Sequence, residues 1–273
     1  MKTNTKDPRQ AKLAIMLDTI AIPGSVAERF QAARAAGFDG VEVGSHLNQE
    51  EVLAAAAATS LAIPSVCCST HWPKPLSDPD LAVRAAGLAG LKQALRDAAR
   101  YGAQSVLLVP AIVTKQVSYA EAYRRSQVEI RKALPLAARL RVRIAVENVW
   151  NGFLLSPLEA ARYVDEFASP WVGFHFDVGN IVNYGWPEQW LRILGRRIVA
   201  IHMKEYSRAR RDKRGPGAGF DVPFLEGDND WPAVMRAVDE IGYRGWFITE
   251  QGGARTLSAL RDQARRARRI LAL

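Results

Sequence analysis

Short apolar runs rich in β-branched residues recur along the chain. Between them lie longer stretches that open on a capping residue and close on glycine. Lys12 to Leu17 predicts a first strand. Ser25, with Glu28 three residues on, has the spacing of a capping box for a helix to about Ala36, which Gly37 stops. Gly40 to Val43 is the second strand, and Asn48, with Glu51 behind it, caps an alanine-rich helix to about Ser60. Ile63 to Ser69 is the third strand; Asp78 or Asp80 opens a long helix to Tyr101, stopped by Gly102. Ser105 to Val109 is the fourth strand, and the helix that follows, Ser118 to Leu140, should kink or break at Pro135, which lacks an N–H. The fifth strand ends at Glu147, a helix spans Pro157 to Phe167, and the sixth strand ends at Asp177. A short helix starts at Pro187, a residue favoured in a first turn. The seventh strand ends at His202 and leads into a long loop, about 205–230. A helix from Trp231 to Ile241, the eighth strand to Glu250 and a C-terminal helix complete the chain.

Eight strand signals thus alternate with eight helix signals. The strands show no alternation of apolar and polar positions, as expected where both faces are covered. Gly37-Phe38-Asp39-Gly40-Val41-Glu42-Val43 is echoed by Gly242-Tyr243-Arg244-Gly245-Trp246-Phe247-Ile248, each reading as helix stop, turn and strand. The expectation is an α/β fold, one (β/α)8 TIM barrel spanning 1–273, and 273 residues with 48% hydrophobic content suit it. The competing architecture, a doubly wound open sheet, lacks its usual signatures: no Gly-x-Gly-x-x-Gly follows the first strand and no Walker loop is found.

Charge alters this picture little. The net charge of +9 is concentrated in Ser207 to Arg214 and Arg261 to Arg269, each with five basic residues and one acid. A general nucleic-acid footprint is therefore not expected. The second cluster reads as a solvated helix face; the first follows the seventh strand directly, where an arginine would meet an anionic or polyhydroxylated substrate. Cys67 and Cys68 are adjacent and imply no disulfide framework, so a reducing, cytoplasmic setting is expected. No signal-peptide pattern and no long apolar span points to a membrane.

Chemistry enters at the strand ends. In a barrel, the C-terminal ends of the strands converge on one mouth. Glu42, His71, Glu147, Asp177, His202 and Glu250 all lie there. A lone acid after a strand is most often a cap, but Glu147, Asp177, His202 and Glu250 close four strands in succession. Three carboxylates and one imidazole suit a hard-to-borderline divalent ion: Mg²⁺, Mn²⁺, Co²⁺ or Zn²⁺. His175, two residues before Asp177, shares its face. Trp72, Trp150 and Trp186 follow strands and either wall the pocket or pack.

These segments resemble the xylose-isomerase-like TIM-barrel superfamily, in its sugar-phosphate isomerase/epimerase and ketose 3-epimerase branch. The resemblance runs from Gly37 to Glu250. Its most specific parts are Val146-Glu147-Asn148, Phe176-Asp177-Val178-Gly179-Asn180, His202-Met203-Lys204-Glu205 and Thr249-Glu250. It implies Glu147, Asp177, His202 and Glu250 as ligands of one divalent ion, Glu147 and Glu250 also as acid/base partners, and Arg208 as a substrate contact. His71, Asn180, Glu42 and Lys204 join Arg208 as substrate-binding candidates. Two positions depart from the ketose 3-epimerases: Phe153 stands where a second glutamate is expected and Asn180 where a histidine is expected. Asn180 can hydrogen-bond a hydroxyl but cannot titrate near neutrality.

The implied reaction is proton transfer beside a carbonyl of a sugar or sugar phosphate, through a metal-stabilised enediolate. Two glutamates on opposite faces would epimerise a centre; one moving the proton between neighbouring carbons would isomerise aldose and ketose. The alternatives are a keto-sugar or keto-inositol dehydratase or other eliminating lyase, with His71 or Lys204 as the acid, an apurinic endonuclease, and a non-catalytic sugar binder. For the endonuclease, Asp228-Asn229-Asp230 stands where a histidine-containing pair is expected. The 205–230 loop, with Gly215 to Gly219, is expected to act as a lid. Homo-oligomers are common among the resembling enzymes.

Overall fold

Eight parallel strands pair in chain order and close into a barrel in the computed structural model, which describes residues 11–273. The strands are β1 (Lys12–Met16), β2 (Gly40–Gly44), β3 (Ser65–Cys67), β4 (Ser105–Leu108), β5 (Arg143–Glu147), β6 (Val172–Asp177), β7 (Ile198–Met203) and β8 (Trp246–Thr249). Closure comes from β1 pairing with β8, Leu13 opposite Phe247 and Ile15 opposite Thr249. The helices are α1 (Val26–Ala36), α2 (Gln49–Thr59), α3 (Leu81–Tyr101), α4 (Tyr119–Leu140), α5 (Pro157–Asp165), α6 (Val178–Val182), α7 (Pro187–Leu194), α8 (Arg208–Arg214), α9 (Trp231–Glu240) and α10 (Leu257–Leu271).

The helix starts follow the predicted caps. Ser25 and Glu28 form a reciprocal capping box on α1, Asn48 caps α2, and Asp80 rather than Asp78 caps α3. Each such cap contributes about 1 kcal/mol by satisfying a backbone N–H that has no partner within the helix. Pro135 does not break its helix: α4 runs continuously from Tyr119 to Leu140. Ala133, Leu136 and Ala137 bury the same stretch against the barrel, and that packing overrides the missing N–H. Two helices fall in segments where none is predicted, α6 directly after β6 and α8 inside the 205–230 loop.

Period-two alternation along the strands separates two environments. Residues such as Val41, Val43, Phe174, Phe176 and Phe247 face outward into the main apolar core under the helices. Ala14, Ala200, Trp246 and Ile248 form a separate small apolar cluster, which closes the barrel interior toward its N-terminal end. Two residues on from Ala200 and from Ile248 along the same strand faces come His202 and Glu250. The interior therefore changes from apolar floor to polar mouth within one pleat repeat.

Candidate active site at the barrel mouth

β5, β6, β7 and the residue after β8 deliver Glu147, Asp177, His202 and Glu250 to one place. One ligand atom from each lies within 4.8 Å of all the others. His202 is central. Its Nδ1 lies 3.1 Å from Glu250 Oε2, 3.3 Å from Glu147 Oε1 and 3.9 Å from Asp177 Oδ2. Glu250 stays in register because its backbone N–H donates to Met203 O at 3.0 Å, continuing the β7–β8 ladder beyond the strand.

Supporting groups fix these side chains. Glu42, fully buried, holds His202 Nε2 at 2.8 Å, leaving Nδ1 to face the three carboxylates. Asn148 clamps the Asp177 backbone: its Oδ1 accepts from Asp177 N at 2.9 Å and its Nδ2 donates to Asp177 O at 2.8 Å. Asp177 Oδ1 accepts from Asn180 N at 2.7 Å, and Asn180 Nδ2 donates to Asn148 O at 2.9 Å. Asp177 Oδ2 is then buried without a hydrogen-bond donor; Lys204 Nζ is 3.2 Å away but not aligned for one. Lys204 Nζ also lies 2.7 Å from Glu250 Oε2. An orphaned carboxylate oxygen beside two further carboxylates and an oriented imidazole fits a hard-to-borderline divalent cation.

The electrostatics are asymmetric. Burial pushes the Glu147 carboxyl up to about 7, although His202 opposes the rise. Burial also raises Asp177, to about 6, against the pull of Lys204. For Glu250 burial is outweighed by Lys204 and His202, which hold it well below the usual carboxylate range. Burial disfavours charge on His202, but Glu42, Glu250 and Glu147 outweigh it and raise the imidazole well above its ordinary value. The carboxylates that stabilise that proton are the groups an ion would share, and a coordinating imidazole is neutral.

His175 lies under this site. Its ring packs edge-on against His202 with centroids 4.1 Å apart, both its nitrogens are buried without partners, and burial pushes its pKa well down. Glu42, His175 and His202 make a second, deeper group of potential ligand atoms, sharing His202 with the first.

The other candidates fall in two sets. His71, Asn180 and Lys204 line a cavity of about 290 Å³ together with Trp72, Trp150 and Glu250. His71 Nδ1 accepts from Val109 N–H at 3.1 Å, so the ring presents Nε2–H; burial lowers its pKa to about 4. Glu42 does not line the cavity: its Oε2 pairs with His202 Nε2 and its Oε1 is buried without a partner. Arg208 does not line it either. Its Nε donates to Val182 O at 2.9 Å, its Nη2 to Gly185 O at 3.1 Å, and its guanidinium lies over Trp186. Through these two carbonyls of the β6–α7 connection, Arg208 staples that segment to α8. The supporting roles of Asn148 and Glu42 are not predicted from sequence; the Glu147-Asn148 pair is the one hint.

The 205–230 loop is tied down. Glu205, fully buried, accepts from Leu225 N at 2.7 Å, Trp231 Nε1 at 2.8 Å, and Tyr206 N and Asn229 N at 3.3 Å each. Gln251 donates to Phe220 O and Val222 O, and Tyr206 OH to Pro216 O. Asp228 accepts from Arg208 N and Asp230 caps α9, so these acids serve the backbone.

A family profile described as xylose isomerase-like TIM barrel matches residues 30–272. The chain is 30% identical over 237 residues to the L-ribulose-5-phosphate 3-epimerase UlaE of Escherichia coli strain K12, covering 82% of this chain and 81% of that protein. Its fold is similar to that of the 3-keto-D-glucoside 4-epimerase YcjR from E. coli, with a TM-score of 0.79 at 19% identity, covering 95% and 99% of the two chains. It is also similar to a xylose isomerase-like TIM-barrel protein from Mycobacterium smegmatis solved with magnesium, with a TM-score of 0.73 at 19% identity, covering 96% of each.

Proposed function

We propose, for a chain that belongs to the xylose isomerase-like TIM-barrel family, the activity of a sugar epimerase that moves a proton beside a carbonyl with the help of one divalent ion. The observation that carries the reading is the convergence of Glu147, Asp177, His202 and Glu250, with Asp177 Oδ2 buried among them without a hydrogen-bond donor and faced by Lys204 Nζ at 3.2 Å. These four residues would hold the ion, manganese being the first choice ahead of magnesium, cobalt and zinc. When bound, the ion polarises the sugar carbonyl and offsets the charge that builds on its oxygen.

The chain's own groups then handle the proton. Glu147 and Glu250 come from strands on either side of β7 in the barrel order, and in the ion-free site their proton affinities are pushed apart. Glu250 is held ionised by Lys204 and is the base. Glu147 would return a proton on the opposite face of the carbon through an oxygen the ion leaves free, which inverts the centre. Trp150 and Trp72 cover the mouth, and His71 Nε2–H donates to a substrate oxygen without changing charge.

An eliminating lyase needs an acid for its leaving group. His71 is held neutral by burial and by the N–H it accepts from Val109, and Lys204 is paired with two carboxylates, which disfavours that reading. Among the described residues no helix is long and apolar enough to cross a membrane. Cys67 and Cys68 are buried free thiols, which supports a reducing, cytoplasmic setting. The deciding experiment is metal analysis of the purified protein followed by a panel of keto-sugars in deuterated water. Uptake of one deuterium with unchanged carbon skeleton and inverted configuration supports epimerisation; loss of water from the substrate overturns it.

A further inference from the structure

Resting on the epimerase reading, we infer that the sugar is uncharged: a neutral keto-sugar held through its apolar face by Trp72 and Trp150, not through a phosphate. Trp150 is 38% exposed at the mouth. Its indole is fixed in place, with Nε1 donating to Asn180 O at 2.9 Å and the ring lying at 31° against Phe220 with centroids 5.1 Å apart. Trp72, 48% exposed, stands edge-on to His71 with centroids 5.7 Å apart. Two aromatic rings on a cavity of about 290 Å³, that of Trp150 held by its hydrogen bond, suit the C–H face of one sugar unit.

The cation that lines the mouth cavity is already committed. Among the described residues, Lys204 is the one lysine or arginine that lines the cavity, and it is paired with Asp177 and Glu250. A divalent ion and Lys204 together carry three positive charges, which the carboxylates of Glu147, Asp177 and Glu250 balance, leaving none for a phosphate dianion. The basic loop does not change this. Four of its five basic residues are tied down: Arg208 to Val182 O and Gly185 O, Arg210 to Asp221 O, Arg211 to Asn183 O and Asp212, and Arg214 to Asp221; the fifth, Lys213, is exposed and lines neither cavity.

Barrels commonly hold phosphate at the loops after the seventh and eighth strands. Here that region is a separate cavity of about 490 Å³ with Asp221 and Asp262 in its wall. Its arginine, Arg266, is already paired with Asp262 at 2.6 Å and with Glu226 at 2.7 Å. Carboxylates at that place repel a phosphate, and among the described residues neither cavity is lined by a lysine or arginine without a carboxylate partner; Arg255, on the loop after β8, is exposed and lines neither.

The test uses matched pairs, ribulose with ribulose 5-phosphate and fructose with fructose 6-phosphate, titrated into the full-length protein with added manganese. Binding is followed by tryptophan fluorescence and calorimetry at low and high salt. In at least one pair the free sugar should bind about tenfold or more tighter than its phosphate, without salt dependence, and Trp72→Ala or Trp150→Ala should weaken it by about tenfold. Trp150→Leu serves if the alanine variant does not fold. The inference is overturned if both phosphates bind as tightly as the free sugars or more tightly, or if the tryptophan variants leave binding unchanged. Deuterium uptake separates the two readings. Exchange into a preferred phosphate removes this inference and leaves the epimerase; tight binding of a free sugar without exchange does the reverse.

Discussion

Glu42 Oε2 lies 2.8 Å from His202 Nε2, and this pairing decides which nitrogen of the ring faces the carboxylates of Glu147 and Glu250. A buried carboxylate that orients an imidazole acts through its neighbour's geometry and basicity. Replacing it typically lowers metal affinity by about 10–100-fold. Glu42→Ala should therefore weaken manganese binding by that order, while Glu42→Gln, which retains an oxygen, should weaken it less. Calorimetric titration checks this, with circular dichroism showing that the variant folds; unchanged affinity in folded Glu42→Ala would count against the pairing's role.

Glu147→Gln and Glu250→Gln remove the groups assigned to proton transfer. Each should reduce turnover by roughly 10²–10⁴-fold. The difference between them is more telling than the size. If Glu250 is the base, Glu250→Gln should abolish deuterium uptake, whereas Glu147→Gln should allow some washout from substrate without inversion. Nuclear magnetic resonance of the recovered sugar reads both.

The pH dependence has a definite sign. Glu147 and Asp177 have ordinary values of 4.5 and 3.8 and are raised in the fold to about 7 and about 6. Between those limits the ion-free folded state binds more protons than the unfolded chain, so the stability from these two groups is present at low pH and lost as pH rises through 6 and 7. His202, raised above 6.5, adds loss in the same direction, while His71 and His175, held below 6.5, gain stability as pH rises through 6.5 and offset part of that loss. Glu250, depressed below 4.5, acts only in more acidic solution. Ion-free protein should thus melt lower at pH 8 than at pH 6. Metal competes with the same protons, so manganese should stabilise most at pH 8 and release protons on binding near pH 6. Calorimetric scans with and without manganese check both signs.

Glu205 anchors the 205–230 segment through four donors. Glu205→Ala leaves buried N–H groups unpaired and should cost roughly 3 kcal/mol. Proteolysis between Arg208 and Phe220 should accelerate in that variant. In the wild type, cleavage there should be slow and insensitive to substrate, since the segment is already fixed; protection by substrate would restore the lid expected from Gly215 to Gly219.

Strand order and the four converging side chains are legible because both are one-dimensional properties: apolar runs, caps and the residue that closes each run. The lateral relationships are not. Nothing local to Glu42 says that its oxygen meets a ring 160 residues away. Arg208 has the sequence position of a substrate contact, but a long side chain goes to the nearest good acceptor, and Val182 O and Gly185 O supply one. Pro135 stays helical because burial on both sides of it outweighs a local preference. α8 escapes notice because its cations suggest a solvated loop, while its Ser207 cap accepts from Arg210 N–H as any helix start does.

The ammonium of Lys204, set between Asp177 and Glu250, means that the barrel carries its own counter-charge. Assembly of the polypeptide then need not wait for a cation. On the proposed metal reading, loading should be a late and reversible exchange, and the fraction of working molecules should follow the surrounding ion supply.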